Sequence, residues 1–134
     1  MLESLTIRPD DRILLLGVAP PEFLRKIAAQ AERGVVVGLG TDDAVREARR
    51  LSSDVHNVML VPAATEEVPW NDQFFTVAID PDSEWLDAEG TAAELARVMG
   101  PGGEVHGVSG EAKTGALLAG GFAELKPGIF TKLL

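Results

Sequence analysis

Residues 13–18, Ile13-Leu14-Leu15-Leu16-Gly17-Val18, form a short continuous apolar run that stops before Pro20-Pro21. A run of this length without alternation is typical of a strand that is buried on both faces of a sheet. Proline is favourable in the first turn of a helix, and apolar residues then recur at helical spacing up to Gly34: Phe23, Leu24, Ile27, Ala28 and Ala31. The stretch predicts a buried strand followed by a helix.

The alternation of strand and helix continues along the chain. Val35–Leu39 is a second buried run. It is followed by Thr41-Asp42-Asp43, which offers side-chain oxygens to cap a helix and carboxylates that interact favourably with the helix dipole; this helix is expected to end at Leu51. Asn57–Val61 and Phe74–Ile79 are two further short apolar runs. The sequence therefore predicts three more strands, with a helix after the first of them.

The stretch after Asp80-Pro81 predicts a helical region in two pieces. Gly90 is the expected break, and Thr91-Ala92-Ala93-Glu94 has the pattern of a capping box for the second piece. Gly100-Pro101-Gly102-Gly103 then predicts a tight connection, because glycine and proline interrupt regular structure. A fifth strand is expected at Glu104–Val108.

The last part of the chain predicts a helix at Glu111–Leu118 and two strands, Phe122–Leu125 and Ile129–Leu134, joined as a hairpin by Pro127-Gly128. Strands that alternate with helices form a mostly parallel sheet covered on both faces. We predict an α/β fold, a single-domain three-layer sandwich whose mostly parallel seven-stranded sheet ends in an antiparallel hairpin. The domain is expected to span residues 1–134, with residues 1–12 as a short lead-in and without a helical cap domain.

Composition and charge exclude several classes of function. The 134 residues are 46% hydrophobic and 25% charged, which is typical of a globular protein. The formal net charge of −9 lacks the basic footprint that nucleic acids and anionic membranes require. Met1–Asp11 has no export pattern, and no apolar run approaches the ~18 residues of a membrane span. We therefore expect no nucleic-acid partner, no membrane partner and a cytoplasmic location.

The negative charge is concentrated in one segment. No lysine or arginine lies between Leu51 and Ala96, whereas ten aspartates and glutamates do. The chain has no cysteine, and its two histidines, His56 and His106, are too isolated for metal-ligand spacing, so no metal site is expected. A homodimer and a basic protein partner are the interactions that this pattern leaves open.

Several segments, taken in order, resemble the Rossmann-like class I S-adenosylmethionine-dependent methyltransferases. Asn57–Val61, Glu66–Trp70 and Phe74–Ile79 are similar to the third strand, the following loop and the fourth strand of that family. Glu94–Glu104, with its Pro-Gly-Gly turn, looks like the helix and turn before the fifth strand, and Leu118–Phe122 like the step into the sixth. The resemblance implies a methyltransferase-like sheet and S-adenosylmethionine as the cofactor.

The resemblance also identifies where the cofactor would be bound. Gly17 matches the glycine-rich loop, but Leu15 stands in place of the family's first acid, and Ala19 and Pro21 stand in place of later glycines. Gly40 replaces the acid that would hold the ribose, with Asp42 two residues on, and Ala64 replaces the acid near the adenine amino group. If the cofactor binds, the resemblance assigns its contacts to six residues: Gly17, Ala19, Gly40, Asp42, Ala64 and Thr65.

Two functions follow from this pattern. The first is a methyltransferase-like protein with degraded cofactor motifs, either non-catalytic or weakly cofactor-binding. The second is an active small-molecule methyltransferase with an unorthodox cofactor loop and an acidic substrate lip. For the second, Asp80-Pro81-Asp82-Ser83 half resembles the Asp-Pro-Pro-aromatic motif of amino-group methyltransferases, and Asp80 is the one candidate catalytic residue, as a proton acceptor.

Overall fold

The computed structural model of the chain describes residues 5–133. Its elements follow in the order β1 (Arg12–Leu15), α1 (Pro21–Gln30), β2 (Val35–Gly40), α2 (Asp42–Leu51), β3 (Val58–Pro62), β4 (Phe75–Ile79), α3 (Ala88–Val98), β5 (Met99–His106), α4 (Glu111–Ala119), β6 (Phe122–Lys126) and β7 (Ile129–Lys132). The seven strands form one sheet in the order β3-β2-β1-β4-β5-β7-β6. β1 to β5 pair in parallel, and β7 is antiparallel to both β5 and β6. The predicted α/β fold class with its antiparallel end pair is confirmed.

Helices cover both faces of the sheet, because successive strand residues point to opposite sides. Ile13 and Leu15 of β1 pack with the buried residues of α1. Leu14 lies on the other face, in the cluster that contains Leu95 of α3 and Leu117 of α4. α2 adds a small cluster against β3 on the α1 face. The sheet is thus the middle of three layers, with a separate apolar core on each side.

The helical region after β4 differs from the prediction. α3 is one helix that contains Gly90, and its N-cap is Asp87, whose side chain accepts a hydrogen bond from the Gly90 N–H at 2.9 Å. A Cβ atom at Gly90 would lie 2.5 Å from Asp87 Oδ2 and 3.1 Å from the Cβ of Glu66. Glycine is therefore present for close packing at the first turn, and the expected break and second capping box were wrong.

The Pro-Gly-Gly segment is also different, because it belongs to a strand. β5 begins at Met99, directly after α3, and its pairing with β4 shifts register between Phe75 and Val77. A Cβ at Gly103 would lie 2.9 Å from the backbone oxygen of Gly100, so the irregular strand folds closely upon itself there. A bulged strand needs the same glycines as a turn, and the sequence pattern could not separate the two.

The lead-in, the first strand and the last strand agree with the prediction only in part. The first strand stops at Leu15, although the Leu16 N–H still donates to the Ile79 oxygen at 2.9 Å. In the lead-in, residues 1–4 lie outside the described residues, while Leu5 and Ile7 pack against the α1 core. The final strand was expected to reach residue 134, which is also outside the described residues; β7 ends two residues earlier. Within residues 5–133, no helix has the length and apolar character needed to cross a bilayer.

A single arginine fastens the loop between β3 and β4 to α3. Arg97 donates to the backbone oxygens of Val68 at 2.7 Å and Trp70 at 2.8 Å. It also donates to the carboxylates of Glu94 at 2.7 Å and Asp72 at 2.9 Å. Glu94 in turn accepts from the Val68 N–H at 2.8 Å, so the loop is held through both its donors and its acceptors. We call these contacts the Arg97 clamp.

We expect Arg97→Ala to lower the free energy of unfolding by about 1.5–3 kcal/mol, because two backbone oxygens and two carboxylates lose a charged donor. The matched control is Arg46→Ala, since Arg46 pairs with Asp43 on the surface, where the side chains are 79% and 95% exposed. That control should change the free energy by less than about 0.5 kcal/mol. Urea denaturation measures both, and equal effects would contradict the role of the clamp.

The Arg97 clamp also predicts that the stability of the protein depends on pH. The hydrogen bond from Arg97 lowers the pKa of Glu94, against the opposing effect of its partial burial. A lowered pKa in the folded state means that Glu94 stabilises the protein fully above about pH 4.3, the pKa of a free glutamate, and that this contribution is lost as the pH falls. The stability difference between wild type and Glu94→Gln should narrow from about pH 6 to about pH 3. If the stability difference stayed constant over this pH range, the prediction would be contradicted. Glu89→Gln is the control, because Glu89 is exposed on the same helix.

Candidate functional site

The sheet has a topological switch point beside β1. β1 pairs with β2 on one side and with β4 on the other, so the chain connections diverge at its carboxyl end. Open α/β sheets bind ligands at the carboxyl ends of strands at such a point. A cleft of about 330 Å³ lies there, lined by residues at or just beyond the carboxyl ends of four strands: Leu16–Gly17, Leu39–Thr41, Ala63–Glu66, and Ser83, Glu84 and Leu86. We call it the switch-point cleft.

Four of the six residues that the resemblance assigned to the cofactor line this cleft: Gly17, Gly40, Ala64 and Thr65. The other two do not. Ala19 is buried in the core beneath α1, and Asp42 is exposed in the first turn of α2. The structure therefore brings the loops after β1, β2 and β3 together as expected, and it leaves the nearest replacement acid outside the cleft.

Two glycines of this cleft are closely packed by neighbouring side chains. A Cβ atom at Gly17 would lie 3.1 Å from Pro81 Cγ and 3.2 Å from Ser83 Cβ, so the loop after β4 rests on this glycine. A Cβ atom at Gly40 would lie 2.7 Å from Val18 Cγ2, so Val18 occupies the place of an acid at that position. α1 begins at Pro21 with Pro20 as its N-cap, and neither proline has an N–H to offer a ligand.

Asp80 lies directly after β4 and is fully engaged within the protein. Its Oδ2 accepts from Lys113 Nζ at 2.6 Å, and its Oδ1 accepts from the N–H and hydroxyl of Ser83 at 2.8 and 2.9 Å. The Asp80 side chain is 0% exposed and that of Lys113 is 13% exposed. Lys113 also lies 5.0 Å from the centre of the Trp85 ring. This ion pair ties the loop after β4 to α4.

Glu66 is the site residue that the sequence analysis missed. It lines the switch-point cleft, and its Oε2 atom is buried without a hydrogen-bond partner within residues 5–133. The adjacent Thr65 hydroxyl is hydrogen-bonded to that of Thr91 at 2.7 Å, which fixes the loop against α3. Nothing in the pair Glu66-Glu67 indicates which carboxylate turns inward, because both precede the same apolar Val68.

The polar side chains that line the cleft are two carboxylates and three hydroxyls. Glu66 and Glu84 contribute carboxylates, and no lysine or arginine is among the lining residues. The Thr41 hydroxyl is used to cap α2, where it accepts from the Ala44 N–H at 3.2 Å. The two carboxylates make the lining negatively charged, although most of its exposed surface is apolar.

A larger cavity of about 740 Å³ lies along the face of β1, β4 and β5. Its polar groups bind one another: the Thr76 hydroxyl donates to Asp11 at 2.8 Å, and His106 Nε2 is 2.9 Å from Glu104 Oε1. His106 is buried and hydrogen-bonded, and in the part of the chain that the structure describes no three histidine, aspartate or glutamate side chains are grouped to hold a metal. The satisfied groups of this cavity make the switch-point cleft the better candidate site.

Solved structures show which known proteins share this fold. A S-adenosylmethionine-dependent methyltransferase from Aquifex aeolicus superposes with a TM-score of 0.78 at 15% identity, over 96% of this chain and 84% of its own. The [4+2]-cyclase SpnF superposes with a TM-score of 0.73 at 18% identity, over 93% and 55%. A geranyl diphosphate methyltransferase gives 0.65 at 14% identity, over 75% and 38%.

The chain has the fold of the class I S-adenosylmethionine-dependent methyltransferases. Neither the comparison with protein-family models nor that with curated proteins gives a match. The methyltransferase-like chain spans about half the length of several of the structures that it matches. One of these neighbours is described as a cyclase, which illustrates that this fold carries more than one chemistry.

We expect Asp80→Asn to lower the free energy of unfolding by about 3–5 kcal/mol, because Lys113 would be left buried without its counter-ion. Asp80→Asn combined with Lys113→Met should recover part of the loss. Asp82→Asn is the matched control, since Asp82 is exposed with φ of 65° and asparagine tolerates this left-handed conformation. Chemical denaturation of the three variants tests the ion pair, and a stable Asp80→Asn protein would refute it.

Proposed function

We propose that this chain is a methyltransferase-like protein that does not transfer methyl groups and binds S-adenosylmethionine weakly or not at all. The observation that carries the proposal is the packing of Pro81 and Ser83 on Gly17, at 3.1 and 3.2 Å from the place of a Cβ atom. In the family that this chain resembles, the glycine-rich loop must lie open for the cofactor. Here Pro81 and Ser83 pack closely on Gly17, although Gly17 still lines the cleft.

The missing acids support the same proposal in energetic terms. A hydrogen bond to a charged group contributes about 1.5–3 kcal/mol, so the loss of two weakens binding by roughly 10²- to 10⁴-fold. The two positions without an acid are Gly40 and Ala64. At Gly40, the Val18 side chain lies where an acidic side chain would have to fit. Asp42 is exposed outside the cleft and does not restore the contact.

The second candidate is an active small-molecule methyltransferase with an acidic substrate lip. One observation favours it: the switch-point cleft is still open and carries the carboxylates of Glu66 and Glu84, which would attract an amine substrate. The two candidates differ in whether the cofactor binds tightly enough for turnover, so one titration separates them.

The remaining expectations belong to the same proposal. We propose that the protein acts in the cytoplasm as a single methyltransferase-like domain. Its partner would be a second copy of the chain or a basic protein, since the excess negative charge lies between Leu51 and Ala96. No nucleic-acid partner is proposed, because the chain lacks a basic footprint.

Calorimetric titration with S-adenosylmethionine and S-adenosylhomocysteine tests the proposal. We expect dissociation constants weaker than about 100 μM for wild type, a gain of about tenfold or more for Ala64→Asp, which restores one acid, and no change for Asp42→Ala. The double variant Val18→Ala with Gly40→Asp removes the blocking methyl and adds the second acid. Micromolar binding by wild type that Asp42→Ala abolishes would contradict the proposal and favour the active enzyme.

A further inference from the structure

The two edges of the sheet differ in how they are protected. Within residues 5–133, β6 pairs with β7 alone and β3 pairs with β2 alone, so these two strands are the edges. β6 carries the exposed charges of Glu124 and Lys126 and an irregular register between them, and both features oppose pairing with a further strand. β3 has no charged side chain. The β3 edge is therefore the one that can accept another strand.

Alternate residues of β3 direct their backbone groups away from the sheet. The Asn57 oxygen accepts from β2 at 2.9 Å, and the Ala63 N–H donates to β2 at 3.1 Å. Because every second residue of a parallel strand bonds to the same neighbour, the backbone groups of Val58, Leu60 and Pro62 point outward. Proline has no N–H, so a further strand can use both the N–H and the oxygen only at Val58 and Leu60.

A mostly apolar groove of about 360 Å³ lies beside this edge, lined by the end of α2 and by β3. Met59 is 48% exposed there, and Val58 and Val61 are half-buried. Among the side chains of residues 5–133, Arg49 caps the edge by donating to the Leu60 oxygen at 2.6 Å. An edge strand with exposed apolar side chains favours association with another chain.

The β3 edge is complementary to itself. When two copies of β3 pair antiparallel with Met59 at the centre, Val58 of one copy lies opposite Leu60 of the other. The two residues then exchange both of their backbone hydrogen bonds, and the two-fold symmetry repeats the exchange. The two Met59 side chains meet at the centre, where the Cα atoms of a pair without hydrogen bonds are about 4.5 Å apart.

Helix α2 presents one of its flanks to the same edge. Asp42 and Arg49 are seven residues apart, which is two turns, so they share a flank of the helix. Arg49 reaches Leu60 of β3, which shows that this flank faces the free edge. The opposite flank faces α1, because Arg25 donates to the Leu51 oxygen at 2.7 Å.

The charges on this flank identify the occupant. The two-fold axis of an antiparallel strand pair is perpendicular to the sheet, so both copies of α2 lie on one face and run in opposite directions. Asp42 of each copy then lies opposite Arg49 of the other. In the part of the chain that the structure describes, Asp42 is exposed and makes no ion pair, whereas Arg46, between the two, is paired with Asp43 at 3.4 Å. A second copy matches both charges, and a uniformly basic or acidic segment matches one.

We propose that the β3 edge binds a second copy of this chain, through antiparallel β3 strands and through pairs of Asp42 with Arg49 between the two α2 helices. The inference rests on the second-copy partner of the proposed function and gives that partner a place in the fold. No residue that lines the groove also lines the switch-point cleft, so association does not require the cofactor. One strand pair and one helix pair form a small interface, for which we expect a dissociation constant of about 10–100 μM.

Sedimentation equilibrium of the full chain between about 5 and about 500 μM tests the proposal, and we expect a change from monomer to dimer. Met59→Lys should weaken the dimer at least tenfold, because two positive charges would meet at the centre of the strand pair. Leu125→Lys is the matched control, since Leu125 is 54% exposed on β6. That control should leave the dimer unchanged.

Charge reversal tests the helix contact. Asp42→Arg alone and Arg49→Asp alone should each weaken the dimer several-fold, because like charges would then face each other. The two changes combined should restore the affinity to within about threefold of wild type, since opposite charges face again. Circular dichroism establishes that the variants are folded. A combined variant that dimerises no better than the weaker single one would overturn the proposal.

Amide hydrogen exchange of the wild-type chain gives a second measurement that needs no variant. The N–H groups of Val58 and Leu60 should exchange at least fivefold more slowly at about 500 μM than at about 5 μM, because the second strand bonds them. Equal exchange rates, a monomer at the highest concentration, or a dimer that Leu125→Lys weakens and Met59→Lys does not would each overturn the proposal.

The cofactor titration keeps this inference apart from the proposed function. A chain that stays monomeric and binds no cofactor overturns the β3 contact and supports the proposed function. A chain that dimerises as described and binds S-adenosylmethionine at micromolar concentration supports the β3 contact and overturns the proposed function.

Discussion

The pairing of β1 with two parallel neighbours is the constraint on which the rest of the structure depends. Ile13, Leu14 and Leu15 are 0% exposed, and the strand is hydrogen-bonded to β2 on one side and to β4 on the other. A strand buried in this way must carry apolar side chains on both faces, and it forces the following connections apart. The switch-point cleft, which lies above its carboxyl end, is a direct consequence.

Two polar contacts then determine the shape of that cleft. The Arg97 clamp holds the loop after β3, and the ion pair of Lys113 with Asp80 holds the loop after β4. The second loop lies on Gly17, and the first contributes residues 63–66 to the lining of the cleft. Gly17 and Asp80 are engaged with other parts of the protein, while one buried oxygen of Glu66 has no hydrogen-bond partner within residues 5–133.

The sequence predicted the fold better than it predicted the site. Continuous apolar runs identify the buried strands, since both of their faces must be apolar, and Gly or Pro marks the start of α1 and both ends of α4. Gly90 and Gly103 were misread, because a glycine that permits close packing cannot be told locally from one that breaks an element. For the site, the resemblance located the loops, yet Ala19 and Asp42 lie outside the cleft and Glu66 was missed.

The sequence by itself determined the order of strands and helices, the antiparallel end pair, the location of the acidic segment and the presence of Leu15, Gly40 and Ala64 where the resemblance predicts acids. Only the tertiary structure decided which carboxylates form hydrogen bonds and ion pairs and which buried carboxylate oxygen, within residues 5–133, has no partner. The physical reason is that hydrogen-bond satisfaction depends on distant partners. Lys113 is 33 residues from Asp80, and Glu66 faces a cleft made by four separate segments.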